Sequence, residues 1–470
     1  MNDDNSAGRV TQHLRALAAA AGPGGRLPAV RELMAALKVG PGTVRAAFAG
    51  LTAEGLIEAR PGQGTFVRAT APPAPLLPDL SWQTLALGPP RADAAPLAEL
   101  VAPPAAGMLV LSTGYLPVEL QPLRLLRAAL ARAATRDDVW DRLPAEGLEP
   151  LRAWFARGLG PEFTARDVLV TPGSQAAVAA VFRGLTAPGD GVVMESPTYI
   201  GAIVAARAAG LRVVPLPADG EGVRPEQLRQ ALHASGARLV YLQPAFANPS
   251  GAVLASGRRP GVLEAVREAG AFLVEDDWAR ELHHDGTEPL PPLATLDRAG
   301  HVVTLRTLTK TTAAGLRIGA VFARGAAMAR LRAVRCTDDF FVAGALQAAA
   351  LDLVTAPGWP RHLAALRRTL AERREVLAGA IRRRLAPGAL ATEPRGGLHL
   401  WVRLPPGVGG MALKDAALRV GVVVSPGEGW YPGEAPEGFV RLTFAAEPPS
   451  RLVQGVELLA AVLEPLRSRG

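Results

Sequence analysis

The stretch TLTKTTAAGLRIG, residues 307–319, places Lys310 among threonines and seven residues ahead of Arg317. The chain has only two other lysines, Lys38 and Lys414. A lysine amine forms an imine with an aldehyde cofactor only where the two are held together, and nearby hydroxyl and guanidinium groups can bind a phosphate on that cofactor. Pyridoxal 5'-phosphate carries both groups, so this stretch predicts a site for it. The alternative is a surface lysine in a threonine-rich turn.

Length and composition predict a globular chain of more than one domain. The 470 residues exceed what one hydrophobic core usually organises, and 49% of them are apolar. The 42 prolines and 50 glycines indicate many turns. A net charge of +8 permits nucleic-acid binding. All but three of the 51 basic residues are arginine, a bias that codon usage can produce, so the net charge alone is weak evidence.

The single cysteine, Cys336, excludes an internal disulfide and is typical of a reducing cytosol. The first residues, Met1-Asn2-Asp3-Asp4, lack the basic region of a signal peptide, and no apolar run reaches about 18 residues. These features predict a soluble cytoplasmic protein without a membrane span. The sequence predicts no metal site.

The sequence pattern of residues 9–68 predicts three helices followed by a hairpin. The first helix ends at Gly22, the second begins after Pro28, and the third runs from Gly42 to about Glu54. Two strands, 56–60 and 64–68, flank a turn at Pro61. The apolar residues at helical spacing are Val10, Leu14, Leu17, Ala21, Val30, Leu33, Met34, Leu37, Val44, Ala47, Phe48 and Leu51.

This order of elements is that of a winged helix-turn-helix, in which the third helix enters the major groove of DNA and the wing follows the phosphates. The segment holds eight Arg or Lys residues and three Glu residues. We therefore expect double-stranded DNA as a partner. The predicted DNA-binding residues are Arg31, Thr43, Arg45, Arg60 and Gln63.

The same segment closely resembles the GntR family of regulators. The matching motifs are Arg26-Leu27-Pro28-x-x-Arg31-Glu32-Leu33, Thr43-Val44-Arg45-x-Ala47, Leu51-x-x-Glu54-Gly55-Leu56-Ile57 and Gly62-x-Gly64-Thr65-Phe66-Val67. The family usually has Ser-Arg where this chain has Gly40-Pro41, which removes a capping hydroxyl and one DNA contact. The alternative is a helical domain that does not bind DNA.

Residues 69–107 are rich in proline, which favours an extended linker, with a short helix around 94–101. Beyond it, apolar strands alternate with helical segments, a pattern typical of a mainly parallel sheet covered on both faces. The predicted strands are 168–171, 191–195, 211–215, 238–243, 272–275, 302–305 and 319–322. From about 358 we expect a smaller α+β C-terminal lobe, with a helix at 361–384, strands at 397–404, 422–425 and 439–444, and a closing helix.

Polar residues follow several of these strands, where open α/β sheets bind ligands. Gly173, Ser174 and Gln175 open a helix, so their N–H groups and the Ser174 hydroxyl can hold a phosphate. Tyr199 offers an aromatic face to a planar ring, and Asn248 presents an amide. Taken singly, each residue has an ordinary explanation as a helix cap, a core tyrosine or a turn asparagine.

Three charged residues complete the pattern. A carboxylate at Asp276 can keep a pyridine nitrogen protonated, which makes the ring an electron sink. Arg317 can donate to a phosphate, and Arg441 can bind a substrate carboxylate. A solvated acid and surface arginines are the ordinary alternatives, but the order and spacing of the whole set favour a cofactor site.

From about residue 108 onward, the chain resembles the fold-type I, class I/II aminotransferases that use pyridoxal phosphate, particularly the 2-aminoadipate aminotransferase relatives. With its GntR-like head, the whole chain resembles the MocR/GabR-type regulators. The resemblance implies that Lys310 binds the cofactor's aldehyde, Asp276 its ring nitrogen and Asn248 its ring hydroxyl, while Tyr199 stacks on the ring. It implies that Arg441 binds the substrate carboxylate and that the chain forms a homodimer. The implied phosphate-binding residues are Gly173, Ser174, Gln175, Thr307, Thr309 and Arg317.

Three positions depart from the aminotransferase pattern. The family places a tyrosine just after the paired acids, but this chain has Trp278 followed by Ala279. A tyrosine expected to reach the partner subunit is replaced by Arg142. The Gly-Gly-x-Pro motif reads Gly114-Tyr115-Leu116-Pro117, so Tyr115 is expected to narrow the substrate site. These changes leave cofactor binding intact and put efficient transamination in doubt.

The sequence leaves two main functions open. In the first, the chain is a transcription regulator whose aminotransferase-like domain senses pyridoxal phosphate or an amino compound. In the second, it is a working aminotransferase that carries a DNA-binding head. A structural fusion without cofactor is a third interpretation. The intact Thr43-Val44-Arg45 helix favours the regulator, whereas intact Lys310, Asp276, Asn248 and Arg441 keep the enzyme possible.

Overall fold

The computed structural model describes residues 3–69, 79–284, 286, 288–390, 392–436 and 438–467. The chain forms two compact units, one ending at Pro89 and the other beginning at Pro90. Residues 70–78, within the predicted linker, lie outside the described residues. Within the described ranges, no helix is both long enough and apolar enough to cross a membrane.

The first unit contains the predicted three helices and hairpin. Its elements are α1 (Asp3–Ala21), α2 (Val30–Leu37), α3 (Pro41–Ala53), β1 (Ile57–Arg60), β2 (Gly64–Val67) and a further helix, α4 (Trp82–Leu87). The third helix begins one residue earlier than predicted, because Pro41 fits the first turn, where its missing N–H would have no partner. Val10, Leu14, Val44 and Leu51 form the centre of the small core that holds the helices together.

The second unit is an α/β domain with a smaller C-terminal lobe. Its helices are α5 (Ala95–Val101), α6 (Leu123–Ala134), α7 (Glu149–Leu159), α8 (Ser174–Leu185), α9 (Ile200–Ala208), α10 (Pro225–Ser235), α11 (Arg259–Glu268), α12 (Gly325–Asp338), α13 (Gly344–Val354), α14 (Trp359–Arg384), α15 (Gly410–Arg419) and α16 (Pro449–Arg467). Its strands are β3 (Leu109–Val110), β4 (Val168–Thr171), β5 (Gly191–Ser196), β6 (Arg212–Asp219), β7 (Gly222–Val223), β8 (Leu239–Leu242), β9 (Phe272–Asp276), β10 (Val302–Thr307), β11 (Gly319–Phe322), β12 (His399–Arg403), β13 (Val422–Val423), β14 (Ser425–Pro426) and β15 (Phe439–Thr443).

An eight-stranded sheet in the order β4-β11-β10-β9-β8-β5-β6-β7 forms the centre of this unit. Its middle is parallel, since β6, β5, β8, β9 and β10 pair parallel with one another in that order. Strand β11 runs antiparallel to both β10 and β4. Apolar residues of α8, α9 and α12 cover one face and those of α7, α10, α11 and α13 cover the other. The predicted mainly parallel, two-sided sheet is therefore present.

The C-terminal lobe differs from the prediction at one strand. The predicted strand 422–425 is divided: β13 pairs parallel with β3, whereas β14 joins β15 in a three-stranded sheet completed by β12. The chain changes sheets at Val424, which is buried between the two. Strand β3 was not predicted, because two residues carry no recognisable alternation. The short helix expected around 94–101 is present as α5.

Candidate functional site

A cleft lies at the carboxyl ends of the central strands. Parallel strands present their C-terminal ends along one edge of the sheet, so residues distant in sequence meet there. Nine residues that the sequence analysis selected line this cleft, together with two that it did not assign a role. The lining residues are Tyr115, Ser174, Gln175, Tyr199, Gln243, Asn248, Asp276, Trp278, Thr309, Lys310 and Arg317.

Lys310 follows β10 and points into this cleft. Its Nζ donates a hydrogen bond to the Gly114 carbonyl at 2.9 Å and lies 4.2 Å from the centre of the Tyr115 ring. Desolvation by the cleft walls, with a smaller contribution from the positive charge of Arg441, lowers the pKa of Lys310 to about 7. An appreciable fraction of the amine is therefore uncharged at neutral pH, which is the form that attacks a carbonyl carbon.

Asp276 ends β9 and is buried beneath the cleft. Its Oδ2 accepts hydrogen bonds from the Tyr241 hydroxyl at 2.5 Å and from Gln243 Nε2 at 3.0 Å. Burial raises the pKa of Asp276 to about 6, although these two hydrogen bonds act in the opposite direction. Its other oxygen, Oδ1, is buried without a hydrogen-bond partner among the described residues. A buried carboxylate with one unused oxygen is suited to pair with the protonated nitrogen of a pyridine ring.

The predicted phosphate-binding residues meet at the N-terminus of α8. Gly173 has a φ of +91°, and a Cβ there would lie 2.6 Å from Arg317 Nη2, so only glycine fits this close approach. Arg317 Nη2 also donates to the Pro172 carbonyl at 2.9 Å. The Thr307 hydroxyl donates to the Thr309 hydroxyl at 3.0 Å, but Thr307 itself does not line the cleft. Free helix N–H groups and a guanidinium at one point suit an anion with several oxygens.

Arg441 is fully buried on β15, beside the cleft. Its Nη1 donates to Asn248 Oδ1 at 3.0 Å, a second bond goes to the Ser112 carbonyl, and its guanidinium lies 4.2 Å from the centre of the Trp430 ring. Burial lowers the pKa of Arg441 to about 9, which still leaves it charged at neutral pH. The Asn248 N–H donates to Gln243 Oε1 at 2.9 Å. Asn248 is thus held at its backbone by Gln243, which also bonds Asp276, and at its side chain by Arg441.

Tyr199 immediately precedes α9 and forms one wall of the cleft. Burial raises the pKa of its phenol above the ordinary value. Gln175, on the neighbouring helix, donates through Nε2 to the Gly201 carbonyl at 2.9 Å, while its Oε1 is buried without a partner in the described part of the chain. The flat ring and the unpaired amide oxygen leave room and hydrogen-bonding capacity for a bound ring.

Several residues of the site were not identified from sequence. Tyr241 and Gln243 lie two residues apart, and a polar pair at the end of an apolar strand was the available signal. Trp278, recognised only as a departure from the family, lines the cleft and donates from Nε1 to the Phe246 carbonyl at 3.2 Å. Arg142, the other departure, is exposed in the single chain.

The head carries the second candidate site. Arg31 on α2 and Arg45 on α3 are exposed, and Thr43 is half-buried near the start of α3. No side chain caps α3 at Gly40, in agreement with the loss of the capping hydroxyl noted above. On the wing, Arg60 pairs with Glu58 at 2.5 Å and lies over the Phe66 ring, while Gln63 is exposed at the turn.

Comparison with known proteins connects both sites to families. Residues 106–459 match the family aminotransferase class I and II, and residues 7–67 match the bacterial regulatory proteins of the gntR family. The chain is 26% identical over 454 residues to the uncharacterised HTH-type transcriptional regulator YdfD of Bacillus subtilis, covering 95% of this chain and 93% of YdfD. It is 29% identical over 461 residues to the probable rhizopine catabolism regulatory protein MocR of Rhizobium meliloti, covering 95% and 90%.

Among solved structures, the second unit is similar to the alpha-aminoadipate aminotransferase LysN of Thermus thermophilus, complexed with N-(5'-phosphopyridoxyl)-L-leucine. The TM-score is 0.75 at 30% identity, and the match covers 81% of this chain and 97% of LysN. This aminotransferase therefore matches only part of the chain, whereas the two regulators each match 95% of it. The chain belongs to the aminotransferase class I and II family, whose cofactor is pyridoxal phosphate, and with its gntR-family DNA-binding head it is a regulator of the MocR type.

Proposed function

We propose that an amino compound bound in the cleft, together with pyridoxal phosphate, controls how this regulator binds DNA. Two features of the same chain support this proposal. The winged head exposes Arg31 and Arg45. The cleft retains Lys310 and Asp276 in its lining and Arg441 beside it. A protein that only bound DNA would gain nothing from keeping three charged groups beneath its surface at an energetic cost. Their retention supports a ligand that neutralises them.

Pyridoxal phosphate would be held by the groups that the cleft already orients. Bound through its aldehyde to Lys310, it supplies an electron sink for reactions at the α-carbon of an amino compound. In this proposal, Asp276 pairs with the ring nitrogen and Asn248 with the ring hydroxyl, and Tyr199 stacks on the ring. Gly173, Ser174, Gln175, Thr307, Thr309 and Arg317 hold the phosphate.

The same arrangement assigns roles to the amino compound's two charged ends. Lys310, whose amine is partly uncharged at neutral pH, would hold the cofactor's aldehyde beside the ligand amine, and Arg441 would bind the ligand carboxylate. Tyr115, whose ring lies 4.2 Å from Lys310 Nζ, limits the space left for the ligand side chain. The cleft thereby distinguishes amino acids from other amines.

The proposal divides the chain into a DNA-binding domain at 1–68, a linker at 69–107 and an aminotransferase-like domain at 108–470, with lobes that meet near 357. In the head, Arg31, Thr43, Arg45, Arg60 and Gln63 contact DNA. Because Arg60 already pairs with Glu58 and Phe66, its contribution is expected to be smaller than that of Arg45. A cytoplasmic location is part of the proposal, since the DNA target lies there.

A homodimer is also part of the proposal. Trp140 is 68% exposed and Phe340 is 73% exposed, and the segments that carry them meet where the Val139 carbonyl lies against Gly344. Phe340 has a φ of +61°, an uncommon conformation for a residue with a side chain. Two exposed aromatic rings beside exposed Arg142 support a surface covered by a second copy, and Arg142 would then approach the partner's phosphate.

The alternative function is an active aminotransferase, and the intact set of Lys310, Asp276, Asn248 and Arg441 favours it. Trp278 argues for slow turnover, because an indole at that position cannot supply the phenol that relatives place there. A single lost donor at a charged centre costs on the order of 10²-fold in rate.

One set of measurements separates the two functions. Duplexes selected from a random library by the purified holoprotein are labelled, and their anisotropy is followed while each common amino acid is added. We expect at least one amino acid to change DNA affinity severalfold, while keto-acid formation stays well below about 1 per second, the ordinary range for an enzyme. Turnover at or above that rate, with DNA affinity unchanged by every amino acid, would establish the aminotransferase instead.

A further inference from the structure

His399 lies beside the cleft and has no role in the arrangement described so far. It begins β12, whose partner β15 carries Arg441, and it is 5% exposed. In the antiparallel pair β12–β15, His399 lies opposite Thr443 and Trp401 lies opposite Arg441. His399 and Arg441 are therefore diagonal neighbours, and their side chains project from the same face of the sheet. The strand pairing therefore presents the imidazole next to the proposed carboxylate site.

The Nε2 atom of His399 faces the same space as Lys310. A Cβ added at Gly114 would lie 3.6 Å from His399 Nε2 and 3.7 Å from Lys310 Nζ, so both nitrogen atoms border one point. The imidazole also packs against the Trp278 ring, with ring centres 5.9 Å apart. Nε2 is buried and has no hydrogen-bond partner within the part of the chain that is described.

The chemistry of this nitrogen can be assigned. Burial lowers the pKa of His399 well below its ordinary value, and the charges of Arg441 and Lys310 lower it further, so the ring is neutral at pH 7. A hydrogen bond with the backbone of Thr113 acts in the opposite direction, which identifies the backbone group as a carbonyl acceptor. Since Nε2 has no partner among the described residues, Nδ1 carries the proton toward Thr113, and Nε2 presents a lone pair.

We propose that His399 determines ligand specificity by accepting a hydrogen bond at Nε2 from an uncharged donor, a hydroxyl or an amide, on the side chain of the amino compound. A carboxylate side chain cannot donate, and a second ammonium group would face the positive charge of Arg441. An alkyl side chain would leave a buried acceptor unpaired, which costs about 1–3 kcal/mol, or roughly 5- to 150-fold in affinity. This inference rests on the proposed binding of amino compounds in the cleft.

The test uses two pairs of amino acids that differ only by a hydroxyl in place of a methyl group: L-serine with L-2-aminobutyrate, and L-homoserine with L-norvaline. Each is titrated into the full-length holoprotein while the absorbance of the bound cofactor is recorded. We expect the hydroxyl member of at least one pair to bind tenfold or more tightly than its alkyl partner. Equal affinities within both pairs would overturn the inference.

Variants then assign the preference to His399. His399→Phe keeps a flat ring and removes the nitrogen, so the hydroxyl preference should fall below about threefold, while His399→Gln restores an acceptor and should recover part of it. His301→Phe is the matched control, because His301 bonds the Ala271 carbonyl, away from the cleft, at 2.8 Å. An undiminished preference in His399→Phe would refute the assignment. If His399→Phe fails to retain the cofactor band, His399→Leu, which also removes the acceptor, takes its place with the same expected result and the same refuting result.

The outcomes distinguish this inference from the proposed function. A cofactor spectrum that responds to amino acids without regard to the hydroxyl would overturn the role of His399 and leave amino-compound sensing intact. If none of the four compounds changes the spectrum, the inference about His399 is also wrong. In that case, the anisotropy measurement with the full set of common amino acids still decides whether DNA binding depends on an amino compound.

Discussion

Substitution of Asp276 by asparagine should stabilise the apoprotein at neutral pH. The carboxylate is buried, and its pKa is raised from 3.8 to about 6, chiefly by burial. That change is equivalent to roughly 3 kcal/mol of unfavourable free energy for the ionised native state. The introduced amide would keep the bonds from Tyr241 and Gln243, but its own N–H₂ group would lack a partner, so we expect a net gain of about 2 kcal/mol.

The sign follows from proton binding. Between pH 4 and pH 6, the native state of the wild-type protein binds more protons at Asp276 than the unfolded state does, so its stability falls as the pH rises. The uncharged asparagine has no such dependence. The advantage of Asp276→Asn should therefore be smallest near pH 4, increase up to about pH 6 and remain constant above that pH. The other carboxylates titrate in both proteins and cancel in the difference.

The assay is calorimetric unfolding of the two apoproteins at a series of pH values, with the transition of the second unit analysed. The matched control is Asp277→Asn at the adjacent position. Asp277 forms ion pairs with Arg280 and Arg306, so its removal leaves two arginines unpaired and should cost about 3–5 kcal/mol. If Asp276→Asn lowers stability at pH 7.5, or if its effect is the same at pH 4 and pH 7, Asp276 does not carry the buried charge described here.

Three further predictions concern the two sites. Borohydride reduction of the holoprotein followed by peptide mass analysis should label Lys310 alone, and label at Lys414 would contradict its assignment. Arg441→Lys should weaken amino-acid binding at least tenfold, measured from the cofactor spectrum, because lysine lacks the paired donors that match a carboxylate, while the affinity for pyridoxal phosphate stays within about threefold. Arg45→Ala should reduce the salt slope of DNA binding by about one unit if Arg45 contacts a phosphate, or cost roughly 1–3 kcal/mol at the cognate site if it reads a base. Unchanged affinity and slope would refute the docking.

The sequence predicted the sheet and much of the cleft because each carries a local signal. Apolar runs identified β4 and β11 to the residue, and the threonine-flanked Lys310 identified one of the residues that line the cleft. The residues lining the cleft come from strand ends, and in a parallel sheet strand ends converge. Sequence order alone was thus sufficient to collect Ser174, Asn248 and Asp276 at one place.

The residues that escaped prediction depend on tertiary contacts. Tyr241 lies in the apolar strand β8, and only the pairing of β8 with β9 brings its hydroxyl to Asp276. The position of His399 near Lys310 depends on the pairing of β12 with β15 and on the Gly114 segment that lies against both residues. The division of strand 422–425 between two sheets likewise requires partners that a linear pattern does not contain.

The buried charges of the cleft are a source of free energy for ligand binding. Burial lowers the pKa of Lys310 and of Arg441 and raises that of Asp276, so each charged form is destabilised before any ligand binds. A pyridinium, a phosphate and a carboxylate each bring the opposite charge to one of these groups or to Arg317. Ligand binding therefore stabilises the native cleft in proportion to the cost that it removes. A conformation in which the cleft is closed around such a ligand gains that free energy, and one in which it is open does not. Under the proposed function, a ligand must bind two conformations of the chain with different affinities, and DNA must also distinguish these conformations.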